Sequence, residues 1–459
     1  MSFTSSFERT FKQLLPSPFS IAIVLTVVSF VLAFVFTKPA SDGLGYVLEL
    51  SNFWQNGLWN APLMVFAMQM MLMLVLGHTL ALSKPISRGL DKVIPKLDST
   101  AKAAFWVCLL TLCVAFINWG LGLVFGALFA RKVAESKLRL GLAFNYPLIG
   151  AAGYSGLMVW HGGFSGSAPV KANDAGHIKE LVSGNDGLIA QLPEMVSASE
   201  TLFGTMNITT TLLLLAIIPL TYWLIGKKTR NKPFTLTTKM KADLVEEIPK
   251  GAERIDSTFG VSQIIGGLIL SIAVYSASNN PSGALSFLTP NFINLCMLGA
   301  ALFAHKNIRS FLTAVDDAIG GAAGILIQFP LYFGVMGVMK DSGLINMMAE
   351  FLATNSTATS FPIITFFSAG LINIFIPSGG GQWAVQGPII IQTATELNIP
   401  LGKAIMAMAY GDQLTNMLQP FWALPLLGIT GLKAKEILPY TLLIMMVGLV
   451  IFLSVIILF

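Results

Sequence analysis

Long apolar runs separated by short, basic, polar segments dominate this chain. FSIAIVLTVVSFVLAFVF (19–36) and ILPYTLLIMMVGLVIFLSVIILF (437–459) carry no charge, and each falls in the roughly 17–25 residues that a transmembrane helix needs. Nine segments read as crossings: 19–36, 59–82, 140–169, 207–225, 259–276, 289–304, 318–339, 404–428 and 437–459. The first is too long for the apolar part of a signal peptide and lacks a clear small-residue cleavage site, so it reads as a retained helix. Two further apolar stretches, 103–130 and 361–395, are interrupted near their middles, at Asn118-Trp119-Gly120-Leu121-Gly122 and at Pro377 to Gly381. Proline and glycine are the poorest helix formers. A break at membrane depth leaves backbone groups that must be satisfied inside the protein.

The basic residues choose between two topologies. If each interrupted stretch is a re-entrant hairpin, 23 of the 28 Lys and Arg residues fall on one side and 5 on the other; if each is a single crossing, the division is 12 and 16. The positive-inside rule selects the hairpins, with the N-terminus cytoplasmic and the C-terminus external. Segment 131–139, with Arg131, Lys132, Lys137 and Arg139, is then a cytoplasmic loop.

The halves echo one another. Gln69 and Gln328 are each followed by Ser 14 positions on; Ile117-Asn118 parallels Ile372-Asn373; Tyr154 and Tyr410 each precede a Pro by 15. The pattern predicts an all-α polytopic membrane protein with an inverted repeat of about five elements, nine transmembrane helices and two hairpins. The first repeat spans 1–225 with its hairpin at 103–134. A cytoplasmic linker (226–258) and a connecting helix (259–276) follow. The second repeat spans 277–459 with its hairpin at 361–397. Two broken helices, interrupted near His161-Gly162-Gly163 and Gln419-Pro420, are expected to meet the hairpin tips at the midplane.

Composition agrees. The chain is 54% hydrophobic and 11% charged, where a soluble protein carries about 25% charge. The net charge of +5 follows from topology and gives no reason to expect nucleic acid. Cys108, Cys113 and Cys296 lie in apolar segments and read as buried small hydrophobes.

With every Lys and Arg assigned to a loop, a bound anion must be held by backbone N–H groups, helix N-termini or a co-bound cation. Candidate substrate-binding residues are Asn118, Trp119, Gly120, Gly122, Gly162, Gly163, Ser165, Ser167, Ser378, Gly379, Gly380, Gly381 and Gln382. Candidate cation-coupling residues are Asn118, Asn373, Asp412, Asn416 and Gln419, with Na⁺ at Asn373, Asp412 and Asn416, or H⁺, as the ion. Asp412 is the one carboxylate well inside a crossing, and intramembrane acids mark ion pathways. Gln69, Gln328 and His161 are further candidates, each with a structural alternative. Glycine-rich breaks also have a packing alternative.

No G-x-x-x-x-G-K-[ST] occurs, which argues against ATP-driven transport by this chain. G-x-S-G occurs at Gly153–Gly156 and Gly163–Gly166, near His161. An intramembrane serine protease is thus a remote alternative, and a channel or facilitator for small anions a nearer one. No cofactor or catalytic residue is expected.

FINWGLGLVFGALFAR (116–131), GGFSGSAP (162–169), FFSAGLINIFIPSGGGQWAVQGP (366–388) and AYGDQLTNMLQPFWALP (409–425) resemble the short-chain fatty acid transporter family over nearly the whole chain. That resemblance implies uptake of short-chain carboxylates such as acetoacetate and butyrate across the bacterial inner membrane. It also implies kinship with the wider ion-transporter superfamily, whose members are homodimers with a scaffold and a moving, hairpin-bearing transport domain, an elevator. Their sodium sites use Ser-Asn-Thr patterns at the hairpin tips. This chain instead carries Asn118 before Trp-Gly and Asn373 four residues before Pro377.

Overall fold

A computed structural model describes residues 16–37, 43–85, 88, 94–183, 185–229, 231, 234–236, 251–279 and 289–459. Arg9, Lys12, Lys38 and most of the 226–258 linker lie outside the described residues. The principal helices are α1 Pro18–Phe36, α2 Leu44–Leu58, α3 Ala61–Leu82, α4 Thr100–Ile117, α5 Trp119–Arg139, α6 Tyr146–Tyr154, α7 Thr205–Lys228, α8 Val261–Ser278 and α9 Pro290–Ala304. They continue as α10 Ile308–Ile319, α11 Ala323–Asp341, α12 Leu344–Thr354, α13 Phe361–Phe375, α14 Gly379–Glu396, α15 Leu401–Thr415, α16 Pro420–Thr430 and α17 Ala434–Leu458. Among the described residues, seven spans are long and apolar enough to cross a membrane, with α10 and α11 counting as one. The chain is a multi-pass helical membrane protein.

Both interruptions fall where the glycines and proline put them. Asn118 ends α4 and caps α5, its Oδ1 accepting from Leu121 N at 3.0 Å. Ser378 caps α14, its Oγ accepting from Gly381 N at 3.2 Å. Ser378 N–H donates to Ile376 O at 2.7 Å, closing a tight turn around Pro377. An N-cap of this kind satisfies one of the four free N–H groups of a helix start. In each unit the two flanking helices touch one another. Gly122 lies directly on Ala115, so the α4 and α5 backbones approach closely. Gln382 Nε2 donates to Ala369 O at 2.8 Å, and Gln386 Nε2 to Ser368 Oγ at 3.0 Å, stapling α14 to α13.

The two broken segments also appear. α6 gives way to a 3₁₀ turn (Ser155–Met158) and irregular backbone near His161. α15 gives way to a 3₁₀ turn (Asn416–Leu418) before Pro420 starts α16. Their freed backbone is satisfied crosswise. Tyr154 Oη donates toward Asn416 O (2.7 Å) and Gln419 O (3.1 Å) of the second break. Gln413 Oε1, from the second segment, accepts from His161 N (3.0 Å) and Gly162 N (3.4 Å) of the first. Tyr410 Oη donates to Asn207 Oδ1 at 3.1 Å, and Asn207 Nδ2 donates to Gly162 O at 2.8 Å. Each break therefore depends on the other segment for partners that lipid cannot supply.

Three expectations need correction. Segment 131–139 is not a loop; α5 is helical through Arg139, and Arg131, Lys132 and Lys137 are buried. Glu135 makes that burial tolerable. It pairs with Arg131 at 2.8 Å and Lys132 at 3.3 Å, while Arg131 Nη1 donates to Ile429 O in the last turn of α16 at 3.2 Å. Helices α2 and α12 were not anticipated, because their mixed polar and apolar faces fall short of a crossing pattern. Only Cys108 is buried; Cys113 is exposed and Cys296 intermediate, and all three are free thiols.

Candidate functional site

The two breaks and the two broken segments meet around one buried acid. Asp412, 1% exposed on α15, lies in ion-pair contact with His161, 0% exposed. His161 Nε2 accepts from Ala168 N at 3.1 Å. That bond occupies Nε2, and Nδ1 is the ring nitrogen that faces Asp412.

Gly379, first residue of α14, packs against this pair. A Cβ there would stand 2.7 Å from Trp160 Cη2, 2.9 Å from His161 Cε1 and 3.1 Å from Asp412 Oδ2. Gly380 is exposed, and a Cβ on it would meet only Ser167 Oγ at 3.8 Å. Ser378, Gly381, Ser165 and Ser167 are half-buried beside it. On the other break, Trp119 N donates to Ser165 Oγ at 3.0 Å, and Phe164 N to Phe116 O at 2.9 Å, locking the first tip to the first broken segment. Gly163 lies on the Phe116 carbonyl and Gly162 on Asn207, where side chains would not fit.

Asn373 occupies a different place from its sequence counterpart Asn118. Asn118 caps α5. Asn373, in the last turn of α13, sends Nδ2 to Asp412 O (2.7 Å), Thr415 Oγ1 (2.9 Å) and Asn416 Oδ1 (2.8 Å). Gln419 Nε2 donates to Asn373 O. Several buried oxygens here have no hydrogen-bond donor among the described residues: Asn373 Oδ1, Gln419 Oε1 and Asp412 Oδ1. Asn416 Oδ1 accepts one hydrogen bond, from Asn373. A hard cation takes oxygen ligands of this type.

Other candidates lie elsewhere. Gly120 packs on Met73 and Gly122 on Ala115, as helix-packing glycines. Gln382 is a staple between α13 and α14. Gln69 joins α3 to α9, donating to Asn291 Oδ1 at 2.8 Å and accepting from Asn294 at its backbone carbonyl. Gln328, on α11, faces the α16 side near Gly324. The serines of the G-x-S-G motifs do not engage the histidine: Ser155 Oγ donates to Ala151 O (3.1 Å), with Tyr222 Oη at 2.9 Å, and Ser165 Oγ accepts from Trp119 N. Gln413, Asn207, Thr415, Trp160 and Trp422 also border these groups. The spacing match of Tyr154 and Tyr410 was the sequence signal for the crosswise bonding.

A multi-pass helical chain with paired broken segments around a buried acid belongs to the class of membrane transporters. The comparisons agree, and the chain is a member of the short-chain fatty acid transporter family, whose profile matches residues 2–459. A relative from Escherichia coli (strain K12), named for short-chain fatty acid transport, is 36% identical over 442 residues, covering 94% of this chain and 93% of the relative. Another from Haemophilus influenzae, with the same name, is 36% identical over 456 residues, covering 96% of each. Among solved structures, the Alcanivorax borkumensis YdaH transporter overlaps 96% of this chain and 97% of its own at TM-score 0.41 and 17% identity. Neisseria gonorrhoeae MtrF overlaps 97% of each at TM-score 0.41 and 14% identity.

Proposed function

We propose that this protein is a secondary active transporter that carries short-chain fatty acids, or similar small carboxylates, into the cell across the bacterial inner membrane together with a cation. The observation that carries the reading is the meeting of Gly379 with the buried His161–Asp412 pair. An ionised Asp412 repels a carboxylate unless a cation sits between them or the acid is protonated. Either arrangement links substrate binding to a cation. The unpartnered oxygens of Asn373, Asp412 and Gln419 support Na⁺. The buried contact of His161 with Asp412 supports H⁺.

The packed arms of α4–α5 and α13–α14 support re-entrant hairpins entering from opposite faces. The sequence echo of the two halves, with a broken segment in each, supports an inverted repeat. In this reading the N-terminus is cytoplasmic, the C-terminus is external, and the protein works as a homodimeric elevator. A channel remains the alternative. Both are tested with purified protein in liposomes, following labelled butyrate uptake with Na⁺ and pH gradients imposed separately. Accumulation above the outside concentration under one gradient is the expected result. Equilibration alone, under every gradient, would assign a facilitator.

A further inference from the structure

Trp160 and Trp422 are each 4% exposed, and neither indole Nε1–H has an acceptor among the described residues. Indole N–H is a donor only, and a buried donor without a partner calls for an explanation. The two residues lie one in each broken segment. Trp160 lies in the first broken segment beside His161, and Trp422 stands two residues after Pro420 in the second. Both pack edge-on against Trp119 at the first tip, with ring centroids 6.0 Å and 4.9 Å away. Trp119 is half-buried and Gly380 exposed, so the cluster borders the accessible side of the site. Phe66 closes it, 6.1 Å from both Trp119 and Trp422.

The basic residue that follows Trp119 on α5 does not reach the cluster. Arg131 lies twelve residues along α5 from Trp119, about 18 Å at 1.5 Å per residue, and is engaged with Glu135 and Ile429. We infer that the substrate carboxylate is bound by the indole N–H groups of Trp160 and Trp422, with its short alkyl tail against the Trp119 and Phe66 rings. The inference rests on the transport reading above and adds the recognition chemistry. It explains how these residues select an anion. The ionised acceptor strengthens each bond, while the aromatic walls favour a short apolar tail.

The test is equilibrium binding of radiolabelled butyrate to the purified full-length protein in detergent. Trp160→benzothienylalanine and Trp422→benzothienylalanine keep the bicyclic ring and replace N–H by sulfur. Trp160→Phe and Trp422→Phe supply a second, natural series, each checked for monodisperse elution and parental melting. Each isostere is expected to weaken butyrate binding about tenfold, as loss of one hydrogen bond to a charged group does, and butyramide is expected not to compete in the parent. Trp54→Phe, at a half-buried indole on α2 packed against Gly334, is expected to bind as the parent does. Isostere variants that bind butyrate within twofold of the parent would overturn the inference and leave the transport reading intact. A parent that binds no short-chain carboxylate would overturn both.

Discussion

Replacing Gly379 by Ala places a methyl group against three side chains at once. The new carbon would lie 2.7 Å from Trp160 Cη2 and 2.9 Å from His161 Cε1, about 0.8 Å and 0.6 Å inside the short end of normal carbon–carbon contact at 3.5–4.0 Å. It would also stand 3.1 Å from Asp412 Oδ2. Neither ring can swing away cheaply. His161 is held at Nε2 by Ala168 and at its backbone by Gln413, and Trp160 is stacked on His161 at 4.4 Å. Overpacking of this kind costs about 1–3 kcal/mol. If the cost falls on the closed arrangement of tip and acid, butyrate affinity drops between about fivefold and about a hundredfold. Gly380→Ala is the matched control, because its methyl meets only Ser167 Oγ at 3.8 Å. The assay is butyrate binding and liposome uptake for both variants beside size-exclusion profiles. Equal behaviour of the two variants, or an unimpaired Gly379→Ala, would refute the contact between tip and acid.

Other consequences follow from particular contacts. Asn373→Ala strips donors from Asp412 O, Thr415 and Asn416; a loss of about 1–3 kcal/mol is expected, seen as a lower melting midpoint with greater loss of transport. Asn118→Ala removes the α5 cap and should cost about 1 kcal/mol, while Asn118→Asp should retain most of it; equal destabilisation by both would remove the capping role. Leu138→Cys, at an exposed site near the end of α5, in a background without native cysteines, should react with impermeant thiol reagents in inside-out vesicles and not in whole cells. Labelling from outside would reverse the topology.

The breaks were legible because Pro and Gly are read directly: Asn118 and Ser378 stand at helix starts within a residue of where composition placed them. The acid was legible as a lone carboxylate in a crossing. Its partner was not, since the His161–Asp412 contact joins residues 251 positions apart in two broken segments, and nothing local marks such a pair. Repeat matching also misled in detail. Asn118 and Asn373 align, yet the capping role in the second break passes to Ser378, which frees Asn373 to bind α15. The burial of Arg131 and Lys132 was hidden because charge counting treats basic residues as loop markers. Here Glu135, one helical turn away, pairs with both inside the protein. Gly120 and Gly122 read as tip glycines, but the packing of α5 on Met73 and Ala115 uses them instead.

The central claim is that Asp412 couples a cation to carboxylate movement. Asp412→Asn keeps the side chain's size and removes its charge and exchangeable proton. In the same liposomes, uptake of labelled butyrate against its concentration gradient is compared with counterflow exchange of labelled for unlabelled butyrate. The account predicts that the variant loses gradient-driven accumulation and retains exchange. Accumulation at the parental level by Asp412→Asn would contradict it.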